Sequence, residues 1–332
     1  MNTSTRCSVS AVACLVLSGS AFAGVSGYFD AFSTSWLPSG AQANTLAGTV
    51  DMQNGWTTRD AFTSATTVGR WDQQVMHVND ANGSRNVFRM SNAITSGTYA
   101  SQVFSARAGM VAGETGSALW NDRGLVGSSP TAPQFGAYAQ SNTFYNRVSF
   151  RSATGAGQAG LNLTLSASAK QSTVRMNWLQ IQDTGSNGFN LNVYELGADG
   201  AFPTSPLTIA SGLSYTDLHT IETGITFVDG VNWVGGQEVS NDILQIWLNG
   251  TLIHTGSTWE SYYYDTELIS AGTPRLQAVD SMLFRVAGTA APANAGNGFY
   301  FEDFAIGNTI VPAPGAMALM GVAGLCANRR RR

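Results

Sequence analysis

Charge is scarce in this 332-residue chain: Asp, Glu, Lys and Arg together make up 11% of it, less than half of the roughly 25% usual in soluble globular proteins. That excludes a coiled coil, a long-helix protein and a highly charged disordered chain, each of which needs dense Glu, Lys and Arg. Cysteine is scarcer still. Cys7, Cys14 and Cys326 all lie near the ends, and residues 24–308 contain none. A disulfide framework, a thiolate zinc site and a cysteine nucleophile are therefore excluded for the body. A body of this length needs no such staples, because it can bury about three quarters of its unfolded surface. Positive charge is missing from the body as well. Arg6 and Arg329 to Arg332 supply five of the 17 basic residues, so the formal charge of -4 becomes 12 basic against 21 acidic residues between 24 and 308, a net of -9. Nucleic acid is excluded as a partner, since phosphate binding requires a basic footprint.

The two ends have the polarity of targeting segments. A polar start with Arg6 leads into the apolar run of Ala11, Val12, Ala13, Leu15, Val16 and Leu17, then Ala21-Phe22-Ala23 before Gly24. This is the order of a secretory signal peptide with cleavage after the Ala21-x-Ala23 element, so residues 1–23 are expected to be removed. At the other end Val311-Pro312-Ala313-Pro314 precedes small and apolar residues from 315 to 327, and Arg329, Arg330, Arg331 and Arg332 close the chain. Thirteen helical residues reach about 20 Å, short of a hydrocarbon core of about 30 Å. The arginines favour the cytoplasmic side, so the segment is expected to act as a transient transmembrane helix that stalls export with the body outside.

That tail resembles the PEP-CTERM sorting signal of bacteria that make exopolysaccharide, with its Pro-x-Pro element, short apolar helix and basic terminus. Ala313 departs from the pattern, where the family most often has Glu. The resemblance implies an exosortase-type processing enzyme as partner, transient contact with the membrane, and release of the body to the cell surface or extracellular matrix. The domain division expected is a signal peptide at 1–23, one body at 24–308 and a sorting tail at 309–332.

Within the body, short segments alternate apolar and polar residues between clusters of Gly, Asn, Asp, Ser and Thr, the period-two signal of half-buried strands. Strands are predicted over 87–90, 144–150, 161–168, 174–182, 189–195, 219–228, 243–248, 251–255, 282–286 and 299–306. Asn249-Gly250 between two such runs predicts a type I′ hairpin turn. No stretch of a dozen residues carries a 3.6-residue apolar stripe, so the fold class expected is all-β, a jelly-roll sandwich of two antiparallel sheets.

Several peptides carry a second resemblance. Trp71-Asp72-Gln73-Gln74-Val75, Trp247-Leu248-Asn249-Gly250, Thr258-Trp259-Glu260-Ser261-Tyr262-Tyr263 and Gly298-Phe299-Tyr300-Phe301-Glu302-Asp303 look like secreted bacterial proteins with a concanavalin A-like sandwich of laminin G or lectin type. The resemblance spans nearly the whole body and implies two antiparallel sheets, one concave, where related folds bind or cleave glycans.

The chemistry of cleavage is hard to place. Retaining glucanases of this fold carry two carboxylates on alternate positions of one strand, and no E-x-D-x-x-E run exists. Glu302-Asp303 is the nearest acidic pair, and strict alternation puts adjacent residues on opposite faces. Gln180-Ile181-Gln182 lacks the histidine that alginate lyases of this fold carry in a Gln-x-His. His77, His219 and His254 are the only histidines, without H-E-x-x-H or G-x-S-x-G. They are expected to be packed or surface residues. Gly155-Ala156-Gly157-Gln158-Ala159-Gly160 matches G-x-G-x-x-G but precedes a strand, so it reads as a loop.

Glycan binding uses aromatic rings against sugar faces, with amides fixing the hydroxyls. Trp259, Tyr262 and Tyr263 form one aromatic candidate, and Trp120 with Asn121 a second. Calcium is conceivable at Asp229 or Asp242, where oxygen ligands gather without diagnostic spacing. The function expected is a non-catalytic glycan-binding module, with a divergent polysaccharide hydrolase or lyase and a purely structural matrix protein as alternatives.

Overall fold

The computed structural model describes residues 27–31, 56–58, 72–94, 102–105, 143–168, 175–196, 202–228, 232–262, 279–287 and 289–307. Among them the chain is almost wholly β. The strands are β1 (Gly27–Ala31), β2 (Thr57–Thr58), β3 (Gln73–Asp80), β4 (Gly83–Met90), β5 (Gln102–Phe104), β6 (Thr143–Ser152), β7 (Asn162–Ser168), β8 (Trp178–Asp183) and β9 (Phe189–Tyr194). They continue with β10 (Leu207–Leu213), β11 (His219–Thr226), β12 (Asn232–Val234), β13 (Gln237–Val239), β14 (Ile243–Leu248), β15 (Thr251–Ser257), β16 (Ser281–Ala287) and β17 (Phe299–Gly307). A single helical turn, α1 (Glu260–Tyr262), follows β15.

Two antiparallel sheets form the sandwich. The eight-stranded sheet runs β15-β14-β11-β6-β17-β4-β3, with β1 beside the end of β17; the seven-stranded sheet runs β10-β9-β8-β7-β16-β5-β2. β12 and β13 make a separate hairpin. This is the expected two-sheet jelly-roll architecture. The signal and tail helices expected at the two ends lie outside the described residues, and among the described residues no helix is long and apolar enough to cross a membrane.

Alternation decides which side chains meet between the sheets. Phe144, Val148 and Phe150 of β6 point inward, across from Leu163 and Leu165 of β7 and Leu179 and Ile181 of β8, all in one buried cluster. Trp56 fills the far end of that cluster, its ring centroid 5.1 Å from Phe304 and 5.4 Å from Phe284. Burying each such side chain contributes about 1.5–3 kcal/mol, so the shared interior is the main reason the sheets stay together.

All ten predicted strands are found, with ends shifted by a few residues. The β14–β15 turn also follows its sequence: Asn249 and Gly250 have φ of 50° and 79°, as a type I′ turn needs. β10 escaped prediction because its burial is irregular and two register shifts interrupt its pairing with β9. Exposed Trp233 and Val234 likewise hid β12, which has no buried face to impose alternation.

One expectation fails. Pairing of β17 with β6 shifts register between Phe301 and Asp303, which inserts Glu302 as an extra residue. Arg151 and Ser149, two apart on β6, occupy one face, and Glu302 meets the first while Asp303 meets the second. Glu302 and Asp303 therefore share the outer face, because a bulge sets two residues against one and suspends alternation.

Candidate functional site

The outer faces of the two sheets differ in kind. On the eight-stranded sheet a buried ion-pair network covers the middle. Arg151 Nε lies 2.8 Å from Glu302 Oε1 and its terminal nitrogen 3.0 Å from Asp80. Arg85 reaches both acids at 2.8 Å. Asp303 accepts from Ser149 at 3.0 Å and faces Arg147 at 3.4 Å, and the Tyr145 hydroxyl donates to Glu222 at 2.7 Å. Burial raises the carboxyl of Glu302 above its ordinary value against the pull of Arg85. Burial and then the Glu222 hydrogen bond push the Tyr145 phenol up. Although burial opposes it, the Arg89 guanidinium holds the Asp72 carboxyl below its ordinary value through a 2.6 Å contact. In this network each carboxylate has a donor, so it consumes its own chemistry.

The seven-stranded sheet presents aromatics and amides instead. Leu179, Ile181, Leu191 and Val193 of β8 and β9 point inward, which leaves Trp178, Gln180, Gln182, Asn190, Asn192 and Tyr194 outward. Antiparallel register sets Trp178 opposite Tyr194, Gln180 opposite Asn192 and Gln182 opposite Asn190. The two rings stack with centroids 4.5 Å apart and planes 25° apart. Beside them the Asn192 Nδ2 group donates to Oε1 of both Gln180 and Gln182 at 3.0 Å, while the Thr208 hydroxyl of β10 donates to Asn192 Oδ1 at 2.8 Å. Side chains so tied need no further ordering to meet a ligand.

The amide row continues through the sheet. Gln180 pairs in register with Thr164 of β7, Thr164 with Arg285 of β16, and Arg285 with Gln102 of β5. Thr208, Gln180 and Gln182 lie toward its open end, whereas Gln102 and Thr164 are each 1% exposed. Among the described residues neither end of the Gln102 amide, nor the hydroxyl of Thr164 or Ser166, has a hydrogen-bond partner. Each such group costs about 1–3 kcal/mol when left unsatisfied; on the ion-paired face the Nε atoms of Arg85 and Arg151 also lack a hydrogen-bond partner among the described residues, although both guanidinium groups are ion-paired.

The aromatic end is supported from α1 and β15. Trp259 is fully buried, its backbone N–H donating to Met176 and its indole N–H to the Tyr194 carbonyl, both at 2.7 Å. It meets Trp178, Phe202 and Tyr262 at 5.8, 5.3 and 5.6 Å. Phe202 is 42% exposed. The Arg175 guanidinium lies 5.3 Å from the Trp178 centroid and 5.5 Å from that of Trp259, within cation–π range. Burial raises the Tyr194 phenol, which keeps it a hydrogen-bond donor at neutral pH. Next along the chain, Glu195 takes His254 Nε2 at 2.9 Å and ties β15 to the end of β9. A Cβ on Gly256 would overlap Glu195 and His254, which is why glycine stands there.

Chains of known structure resemble this arrangement distantly. An alginate lyase from Pseudomonas aeruginosa overlays with a TM-score of 0.41 at 9% identity, over 74% of this chain and 91% of its own. An alginate lyase from a Chlorella virus gives 0.38 at 10%, over 74% and 95%. The catalytic domain of an endo-1,3-β-glucanase from Thermotoga petrophila gives 0.31 at 11%, over 71% and 74%. At these values the likeness extends to no ligand and no reaction. No protein-family profile and no curated protein matches the chain.

Of the residues anticipated from sequence, Trp259 and Tyr262 join the aromatic end, Trp259 as its buried support rather than as a sugar-facing ring. Tyr263, Trp120, Asn121 and Asp229 lie outside the described residues, as do Ala21, Ala23, Val311, Pro312, Ala313, Pro314 and Arg329 to Arg332. Asp242 is buried and caps a turn, accepting the Val228 N–H at 2.9 Å and the Thr258 hydroxyl at 3.2 Å. Among the described residues no group of three His, Cys, Asp or Glu could hold a metal. His219 is packed against Phe150, and His77 is exposed between Asn86 and Ser84. The glycine-rich segment is a structural loop, where Gln158 exchanges two hydrogen bonds with the Gly298 backbone. Sequence reasoning missed Trp178, Gln180, Gln182, Asn190, Asn192 and Tyr194. The signal was present as W-x-Q-x-Q followed by N-x-N-x-Y, whose polar positions are amides without exception.

Proposed function

We propose that this chain is an exported protein of the cell surface or extracellular matrix whose sandwich domain, residues 24–308, binds a glycan on the outer face of the seven-stranded sheet without cleaving it. One observation carries the reading: the tied amides of Gln180, Gln182 and Asn192 stand in register beside the stacked Trp178 and Tyr194. Amides match sugar hydroxyls, and rings match the apolar edges of sugars. Among the described residues, β8 and β9 bring no carboxylate or imidazole to this row. What the row offers is hydrogen bonding and ring contact rather than acid–base chemistry.

Affinity electrophoresis of the full chain through gels containing different polysaccharides tests the reading. Retardation by at least one polymer is expected, and its loss in Trp178→Ala. Unhindered migration in all of them would overturn it. Reducing ends or unsaturated products appearing on incubation would replace binding by a hydrolase or lyase. Self-association that no sugar competes with would replace it by a structural matrix role. The address is separable: deleting residues 311–332 should release the body into the medium, and unchanged surface retention would remove the exosortase step from the proposal.

A further inference from the structure

We infer that Ser84, His77 and Asn86 form a second site, one that hydrolyses carboxylic esters with a small acyl group; it lies on the other sheet from the amide row and does not depend on the glycan reading. The hairpin of β3 and β4 brings the three together. In its antiparallel register His77 faces Asn86 and Asn79 faces Ser84. Positions two apart on a strand share a face, so His77, Asn79, Ser84 and Asn86 project from the same side. Directly opposed side chains stand about 5 Å apart at Cβ, and a diagonal neighbour is within reach of a ring. The His77 imidazole uses both relations, with Nδ1 3.0 Å from Asn86 Oδ1 and Nε2 2.8 Å from Ser84 Oγ.

The direction of these hydrogen bonds follows from their atoms. A carboxamide oxygen only accepts, so Nδ1 carries the ring proton of the neutral imidazole. Nε2 then holds a lone pair, and the Ser84 hydroxyl donates to it. That is the order of an orienting group, a general base and a nucleophile. His219 Nε2 meets the Ser214 carbonyl and His254 Nε2 meets Glu195. Among the described residues, His77 is the histidine set against a hydroxyl.

The hairpin end is held stiffly and is open. Asp80 Oδ1 accepts the Asn82 N–H at 2.8 Å, and Arg85 donates to Asp80 at 2.8 Å, to the Gly83 carbonyl at 3.0 Å and to Glu302 of β17 at 2.8 Å. Arg85 projects from the opposite side of the pleat, so the charged network fixes the turn without occupying the imidazole. His77, Asn79 and Ser84 are exposed and Asn86 is half-buried, which gives an ester and a water molecule access to the hydroxyl. The neighbouring Asp80, Ala81, Asn82 and Gly83 are exposed and small or polar. Such surroundings suit a short acyl group on a hydrophilic alcohol.

In the reaction, Ser84 Oγ bonds to the ester carbonyl carbon while His77 Nε2 takes the hydroxyl proton. The carbonyl oxygen becomes an oxyanion, for which the Asn79 amide opposite Ser84 supplies N–H donors. The bond to the alcohol oxygen then breaks, His77 gives that oxygen its proton, and Ser84 is left acylated. Water attacks the acyl carbon and passes a proton to His77. Loss of the carboxylic acid returns that proton to Ser84. The sum is ester plus water to alcohol plus acid. Asn86 acts only through the ring it orients.

The full chain is incubated with p-nitrophenyl acetate, following nitrophenol release and the mass of the peptide that carries residue 84. Release above the solvent rate and an acetyl group on Ser84 are expected. Ser84→Ala should remove the adduct, and His77→Ala should slow its formation by about a hundredfold with an unchanged thermal midpoint. Asn79→Ala should lower kcat by at least about tenfold with little change in KM. Asn86→Asp, which still accepts from Nδ1, should lose less activity than Asn86→Ala. The absence of an adduct on Ser84 in the parent chain overturns the assignment. Adduct formation at the parent rate in folded His77→Ala, or undiminished release by Ser84→Ala, does the same. So do equal losses in the two Asn86 variants.

Discussion

The two outer faces of this sandwich are built on the same pleat and put it to different uses. Over the eight-stranded sheet, four arginines meet four acids at 2.6–3.4 Å, and Arg151 is 6% exposed. Over the seven-stranded sheet, amides tie one another in place, and among the described residues the side chains of Gln102, Thr164 and Ser166 have no hydrogen-bond partner. A buried charge without a partner costs far more than a buried amide, so the charged face had to close on itself. The amide face could stay incomplete at an acceptable cost. The difference teaches that charge density alone is a poor guide to a site: on the more charged face the carboxylates are already taken by arginines.

The hardest blow to that division is Arg151→Met. Removing Arg151 leaves Arg85 as the guanidinium shared by Glu302 and Asp80 and should cost about 2–3 kcal/mol in urea unfolding, while polysaccharide retention by the folded fraction persists. A small loss of stability, or loss of binding in folded protein, would erase the distinction between the faces.

Trp178→Ala strikes the other side. Its half-buried ring touches Tyr194, Phe202 and Trp259, so stability should fall by about 2 kcal/mol and affinity by about tenfold or more. Affinity unchanged in a folded variant would move the site elsewhere.

Acid titration sharpens the comparison further. The Asp72 carboxyl is held below its ordinary value of 3.8. Its contribution is therefore present above pH 3.8 and is lost as pH falls through the lowered folded value. Asp72→Asn, which tolerates the φ of 49° at that position, should flatten the acid limb of stability between pH 5 and pH 2. Glu302 acts with the opposite sign. Raised above 4.5, it contributes most below that value and loses its contribution as pH rises through the raised one. An acid limb in Asp72→Asn as steep as in the parent chain would show that the Arg89 pair does not set it.

The gentlest test is Gln180→Ala. With Asn192 still bonded to Gln182, stability should change by only about 0.5–1 kcal/mol. Affinity should fall about threefold to tenfold, measured by the same gel retardation. A stability loss larger than the binding loss would make the amide row a structural device like its charged counterpart.

Much of this was legible in advance because it is local. The inward Leu163-x-Leu165 and Leu179-x-Ile181 pairs announce one buried face, and Asn249-Gly250 announces its turn. Trp178, Gln180, Asn192 and Tyr194 were equally visible as outward residues of predicted strands, but nothing local says that two strands lie side by side. The stacked rings and tied amides arise from antiparallel register between β8 and β9, a relation between segments. Trp259 was visible as a candidate, and whether it would face a sugar or support Tyr194 was settled by packing from three sides.

Composition and alternation by themselves determined a cysteine-free, acidic, all-β body with turns where glycine and asparagine accumulate. They could do so because burial on one face of a strand imposes a period of two whatever the partner strand is. Only the tertiary structure decided which outer face would be closed by ion pairs and which would carry the tied amides, because that depends on register and on one extra residue at Glu302. A bulge is invisible to a periodic reading, since it is a break in the period itself. It joined Glu302 and Asp303 to the closed charged face.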